Sequence, residues 1–129
     1  MLKKRIIFTF YYYENFFVQS RNFSLQKVGT LNWIKKNYNL ASISNFIDEL
    51  VIVDLSKKKD FDKFLYNIKK LSEDFFIPIC CGGGVSNIQQ VKRLFENGAD
   101  KILFNSNISS NQALIYETAK IFGEQSIVA

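Results

Sequence analysis

Two periodicities alternate along the chain: short runs rich in Ile, Val and Phe, and longer stretches in which apolar residues recur every three to four positions. The short runs predict strands at residues 5–10, 50–54, 79–82, 101–104 and 126–129. The longer stretches predict a helix between each pair, in the order β-α-β-α-β-α-β-α-β. In the second helix Phe61, Phe64, Leu65, Ile68 and Leu71 form one stripe, while Lys57, Lys58, Lys63, Lys69 and Lys70 belong to its solvated part. The third carries Ile88, Val91, Leu94 and Phe95 and stops at Gly98. The fourth carries Leu114, Ile115, Ala119 and Phe122 ahead of Gly123. The first, at 31–40, is less regular, and 37–45 reads as a loosened connection.

Strands this apolar, flanked by amphipathic helices on a repeat of about 25 to 30 residues, require a parallel sheet covered by helices. Doubly wound sheets and (β/α)8 barrels both satisfy this, and the strand ends decide between them. Length adds a bound: 129 residues can bury one modest core, whereas a complete barrel needs about 250. The chain is one domain or a portion of one.

Charge and cysteine content narrow the partners. Seventeen basic against twelve acidic residues give +5 with no His, and the basic residues are dispersed, which favours small anionic ligands over nucleic acid. The adjacent Cys80 and Cys81 lie in an apolar run, cannot form a disulfide framework, and fit buried strand positions in a reducing cytoplasm. No apolar run approaches the roughly 20 residues that span a bilayer, so the expectation is a soluble, unprocessed cytoplasmic protein without membrane contact. The thirteen Phe residues occur in helices and loops alike and carry little functional information.

In either parallel architecture the ligand site lies at the carboxyl ends of the strands. Here those ends are small or polar: Tyr11, Tyr12 and Tyr13, then Asp54, then Gly82, Gly83 and Gly84, then Asn105 and Ser106. Three glycines let the backbone approach a ligand, and Ser86 and Asn87 can cap a helix whose amides point back to the same space. A tight strand-to-helix turn would demand glycine as well. Asn105 and Ser106, followed by residues 107–110 before a helix, place further donors one strand away, so the two loops converge on one phosphate, without the Lys of a P-loop. Asp54 closes an apolar strand, where a carboxylate is costly unless it reaches the open mouth or a partner. It is the candidate catalytic residue, with capping of the next helix as the plainer alternative.

Lys4-Arg5-Ile6-Ile7, Asp48-Glu49-Leu50-Val51 through Asp54, Cys81-Gly82-Gly83-Gly84-Val85, Gly98-Ala99-Asp100-Lys101 and Asn105-Ser106 together resemble the cyclase subunit of imidazole glycerol phosphate synthase. The resemblance covers essentially the whole chain, strong from Asp48 onward and patchy between Phe8 and Ser44. It implies an α/β fold, the N-terminal half of a HisF-like (β/α)8 TIM barrel, with about four βα units plus the start of strand five. It implies that a glutaminase (HisH-like) partner at the N-terminal face releases ammonia, which crosses the barrel to a phosphosugar at the C-terminal face, without a cofactor or metal. It implies phosphate binding by Gly82, Gly83, Gly84, Asn105 and Ser106, and a charged ring of Arg5, Glu49 and Lys101 that gates the ammonia. Buried charges of that kind are tolerable only when paired.

The departures from the family lie in its chemistry. Its first catalytic Asp falls on Tyr11, its loop Lys falls on Gln19, and its second catalytic Asp belongs to strand five, beyond Ala129. Cyclisation needs a paired general acid and base. The expectation is therefore a paralogue that passes ammonia on for amidation of a bacterial surface sugar, phosphorylated or nucleotide-linked. The alternatives are a histidine-biosynthesis cyclase with an unusual first loop and a non-catalytic fragment. A half barrel also exposes sheet edges and should self-associate.

Overall fold

The computed structural model describes residues 3–129. Its first strand is β1 (Ile7–Tyr13), followed by β2 (Phe16–Arg21) and β3 (Ser24–Gly29). The helices α1 (Leu31–Asn37) and α2 (Leu40–Ile43) lead to β4 (Glu49–Asp54), and α3 (Phe61–Asp74) to β5 (Ile79–Gly82). Then come α4 (Ile88–Glu96), β6 (Lys101–Leu103), α5 (Asn107–Ser110), α6 (Gln112–Phe122) and β7 (Ile127–Val128). One sheet joins all strands in the order β3-β2-β1-β4-β5-β6-β7. From β1 through β7 every pairing across β4, β5 and β6 is parallel, with a crossover by helices at each step, as in half of a (β/α)8 barrel.

Alternation along the strands separates two faces. Leu50, Ile52, Ile79, Cys81, Ile102 and Phe104 are at most 1% exposed and pack against Phe64, Ile68 and Leu71 of α3 and Val91 and Leu94 of α4. The predicted stripe of α3 is thus the stripe that meets the sheet. Asp60 caps that helix by accepting from the Lys63 amide, and Asn87 caps α4 by accepting from the Gln90 amide. The opposite face carries Ile7, Val51, Val53 and Leu103, none fully buried; it is the side that lines the interior of a closed barrel.

The first connection differs from expectation. Residues 16–29 form a hairpin added antiparallel to β1, with Tyr11 opposite Val18 and Tyr13 opposite Phe16. Both of its turns have two central residues at positive φ, Glu14 and Asn15 and then Asn22 and Phe23. That twist matches paired strands, but neither turn contains the glycine that would advertise it. The predicted helix at 31–40 is also divided. Tyr38 is extended and Asn39 starts α2 by accepting from the Ser42 amide, which is the physical content of the loosened connection. The strand predicted at 126–129 contracts to Ile127–Val128 after a single 3-10 turn.

Candidate functional site at the carboxyl ends of the strands

The three glycines have separate duties. Gly82 is buried in β5, where a Cβ would meet Leu103 Cβ at 2.6 Å. Gly83, at φ +111, lets the chain cross against β4, since a Cβ there would overlap the carbonyl oxygen of Asp54. Gly84, at φ +72, is exposed. The last is the most open, Gly83 being half-buried, and it leads into the capped start of α4. Ser86 extends that cap by donating its amide to Gln90 Oε1 at 2.8 Å.

The loop after β6 is tied to this turn. Asn107 Nδ2 donates to the Val85 carbonyl oxygen at 2.6 Å, holding Asn105 and Ser106 beside Gly83 and Gly84. Together they line a cavity of about 260 Å³ floored by Val53, Asp54 and Leu103. Asn105 and Ser106 are both exposed. The expected helix start behind them is the single turn α5; the longer α6 begins at Gln112 with Asn111 as its cap.

Asp54 shares the alternation of Leu50 and Ile52 and points toward the helix-covered side. Its Oδ1 accepts from the Ser56 amide at 2.9 Å and stands 3.7 Å from Lys59 Nζ, so the buried carboxylate organises the loop between β4 and α3. In the sequence that Lys is one member of a basic run, and no periodic signal marks it. Ser56 in turn accepts from the Glu14 amide at 2.7 Å, joining this loop to the first hairpin turn.

Tyr11 ends the inner row that passes through Val53, Gly82, Leu103 and Val128. Its neighbour Tyr12 points into the core, and burial, with Asp54 and Asp60 adding, pushes its phenol up to about 12. Gln19 lies exposed on β2.

At the opposite end of the sheet the three charged residues come together. Glu49 Oε2 lies 3.7 Å from Arg5 Nη2 and 3.4 Å from Lys101 Nζ; of the three charges expected to be buried only Glu49 is, at 6% side-chain exposure, while Lys101 is partly exposed and Arg5 is 57% exposed at the open edge of the sheet. Cys80 is on the same inner face, where burial and then Glu49 push its thiol up to about 12 against the opposing pull of Lys101. Cys81 faces the helices, and complete burial raises its thiol well above the ordinary range.

A helix-covered parallel sheet with polar loops gathered at its carboxyl ends defines half of a (β/α)8 barrel. The histidine biosynthesis protein family matches residues 33–129, and the chain belongs to that family. It is 44% identical over its whole length to a protein of Parasynechococcus marenigrum provisionally named imidazole glycerol phosphate synthase subunit hisF2, of which it covers 48%. It is 38% identical over 86% of its length to the imidazole glycerol phosphate synthase subunit HisF of Leuconostoc mesenteroides, covering 43% of that protein. It is 35% identical over 99% of its length to the HisF subunit of Methanococcus vannielii, covering 46%. The chain thus spans about half the length of these relatives. Their names favour the cyclase-type subunit over the surface-sugar paralogue.

Proposed function

We propose that this chain is the phosphate-holding half of a cyclase-type subunit of imidazole glycerol phosphate synthase. The observation that carries the reading is the joining of two loops on one cavity, Gly83 and Gly84 from β5 and Asn105 and Ser106 from β6, locked by the Asn107 to Val85 bond. The exposed backbone of Gly84, the amide of Asn105 and the hydroxyl of Ser106 are donors suited to one phosphate of a phosphosugar. Gly82, packed against Leu103, shapes the turn rather than touching the ligand.

Ammonia delivery from a glutaminase partner completes the proposal. The convergence of Arg5 and Lys101 on Glu49 supports a charged gate at the amino ends of the strands. Ile6, Phe46 and Phe76 are 57%, 73% and 88% exposed in segments that precede strands, and so supply apolar surface at the end where such a partner would dock.

Proton transfer would come from elsewhere. Tyr11 places a phenol on the inner row, and Asp54 is turned toward Ser56 and Lys59, so this half binds and orients but lacks the first member of the acid-base pair, while a complementary half carries the second. The same Tyr11 is the observation that favours a second reading, ammonia transfer to a surface sugar without cyclisation. Mixing the chain with the C-terminal half of the Methanococcus vannielii HisF subunit and following ammonia-dependent imidazole formation separates the two. The cyclase reading expects turnover that rises on the order of a hundredfold or more in Tyr11→Asp, the scale of general acid-base catalysis. A folded complex that binds phosphate yet stays silent even with Tyr11→Asp contradicts that reading and favours the second.

A further inference from the structure

Lys59 stands in the loop between β4 and α3, five residues beyond Asp54. Its ammonium donates to the Asp54 carbonyl oxygen at 2.7 Å, and its Cε and Nζ lie 3.0 and 3.5 Å from where a Cβ of Gly84 would stand. The Lys59 side chain is 39% exposed, against 3% for the Asp54 side chain. A cation is therefore pinned by its inner contacts while its side chain stays partly open to solvent beside the glycine turn.

The charge beside the cavity favours such a cation. Asp54 borders the cavity of Gly84, Asn105 and Ser106 while its carboxylate turns to the adjoining space that Lys59 lines with Gly83 and Gly84, and a buried carboxylate so near opposes a second anion. The Ser56 amide satisfies one acceptor site of that carboxylate but brings no net charge. Lys63, one turn further on, pairs with Asp60 at 3.8 Å. Lys59 is the basic side chain packed against Gly84. An ammonium has three donors; the Asp54 carbonyl takes one, and the carboxylate oxygen at 3.7 Å is beyond hydrogen-bonding reach, so donor capacity remains for a ligand.

We propose that Lys59 is the cation of the phosphate site: it neutralises Asp54 and contributes a charge-assisted donor to a phosphate monoester dianion held at Gly84, Asn105 and Ser106. This assignment rests on the phosphate reading of that site.

Titration of the 129-residue chain with inorganic phosphate, followed by phosphorus NMR, tests it. Lys59→Gln keeps a donor for the Asp54 carbonyl but loses the charge; its affinity falls about tenfold, while Lys59→Arg and the neighbouring Lys58→Gln stay within about threefold of the parent. Circular dichroism checks that Lys59→Gln is folded. The double variant Asp54→Asn/Lys59→Gln leaves no unpaired buried carboxylate and still binds at least about threefold more weakly than the parent. Parent-like affinity in Lys59→Gln or in the double variant overturns the assignment, as does an equal loss in Lys58→Gln, which would mark diffuse attraction. If Asn105→Ala weakens binding in those cases, the phosphate site itself stands. Absence of phosphate binding by the parent, or no loss in Asn105→Ala, overturns the site and Lys59 together.

Discussion

Gly83 combines φ +111 with a missing Cβ whose place is taken by the Asp54 backbone, so alanine there must displace a strand as well as adopt an unfavourable backbone. Gly83→Ala should cost about 3 kcal/mol, measured by urea denaturation, whereas a loss under about 1 kcal/mol would mean that the turn can relax. The residue scale also sets the alkaline limit of stability. The Cys80 thiol rises from 9.0 to about 12 and the Tyr12 phenol from 10.0 to about 12 on folding. Well below pH 9 both groups are protonated in both states, and their full contribution is present. Above it the unfolded chain releases protons that the folded chain retains, so stability falls with rising pH until about 12. Cys80→Ala should roughly halve that decline between about pH 9 and 10, where Cys81 supplies the remainder and Tyr12 has scarcely begun to contribute; an unchanged slope would show that the Cys80 thiol is not protected by the fold.

Among the elements, those whose signal is local were legible in the sequence. The stripe of Phe64, Leu65, Ile68 and Leu71 marked α3, and the glycines at 98 and 123 marked the ends of α4 and α6, because helix period and helix stops are written in neighbouring residues. The hairpin of β2 and β3 was not legible. Its turns are Glu-Asn and Asn-Phe, and its strand β3 is mostly exposed, so neither turn chemistry nor apolar alternation announced it. Of the site, the loops closing β5 and β6 could be read from their composition, but the turn of Asp54 toward the helices and the approach of Lys59 to Gly84 depend on contacts between strands. Phe23 sits fully exposed at φ 61 in the second turn, a conformation that glycine adopts without penalty. Phe23→Gly should stabilise the chain by about 0.5–1 kcal/mol in thermal denaturation; destabilisation would show that the ring packs on something in solution.

For the molecule as a whole, the inner face is the open one. Ile7 is 53% exposed, Val51, Val53 and Leu103 are partly exposed, and residues 7–10 of β1 pair with β4 alone, since β2 joins β1 only from Tyr11. An apolar face and an unpaired strand segment favour association of two copies of this chain. Sedimentation velocity should show a mass that grows with concentration, and a strictly monomeric profile at high concentration would contradict this. Relatives twice as long carry further chain that could take the place of the second copy. The functional proposal, however, depends on the other end of the sheet. Its most direct test is a titration of the isotopically labelled chain with inorganic phosphate, followed by backbone amide NMR. Saturable shifts centred on Gly83, Gly84, Val85 and residues 105–107 are the predicted result. Shifts spread over the exposed lysines, with those two loops unmoved, would contradict the account.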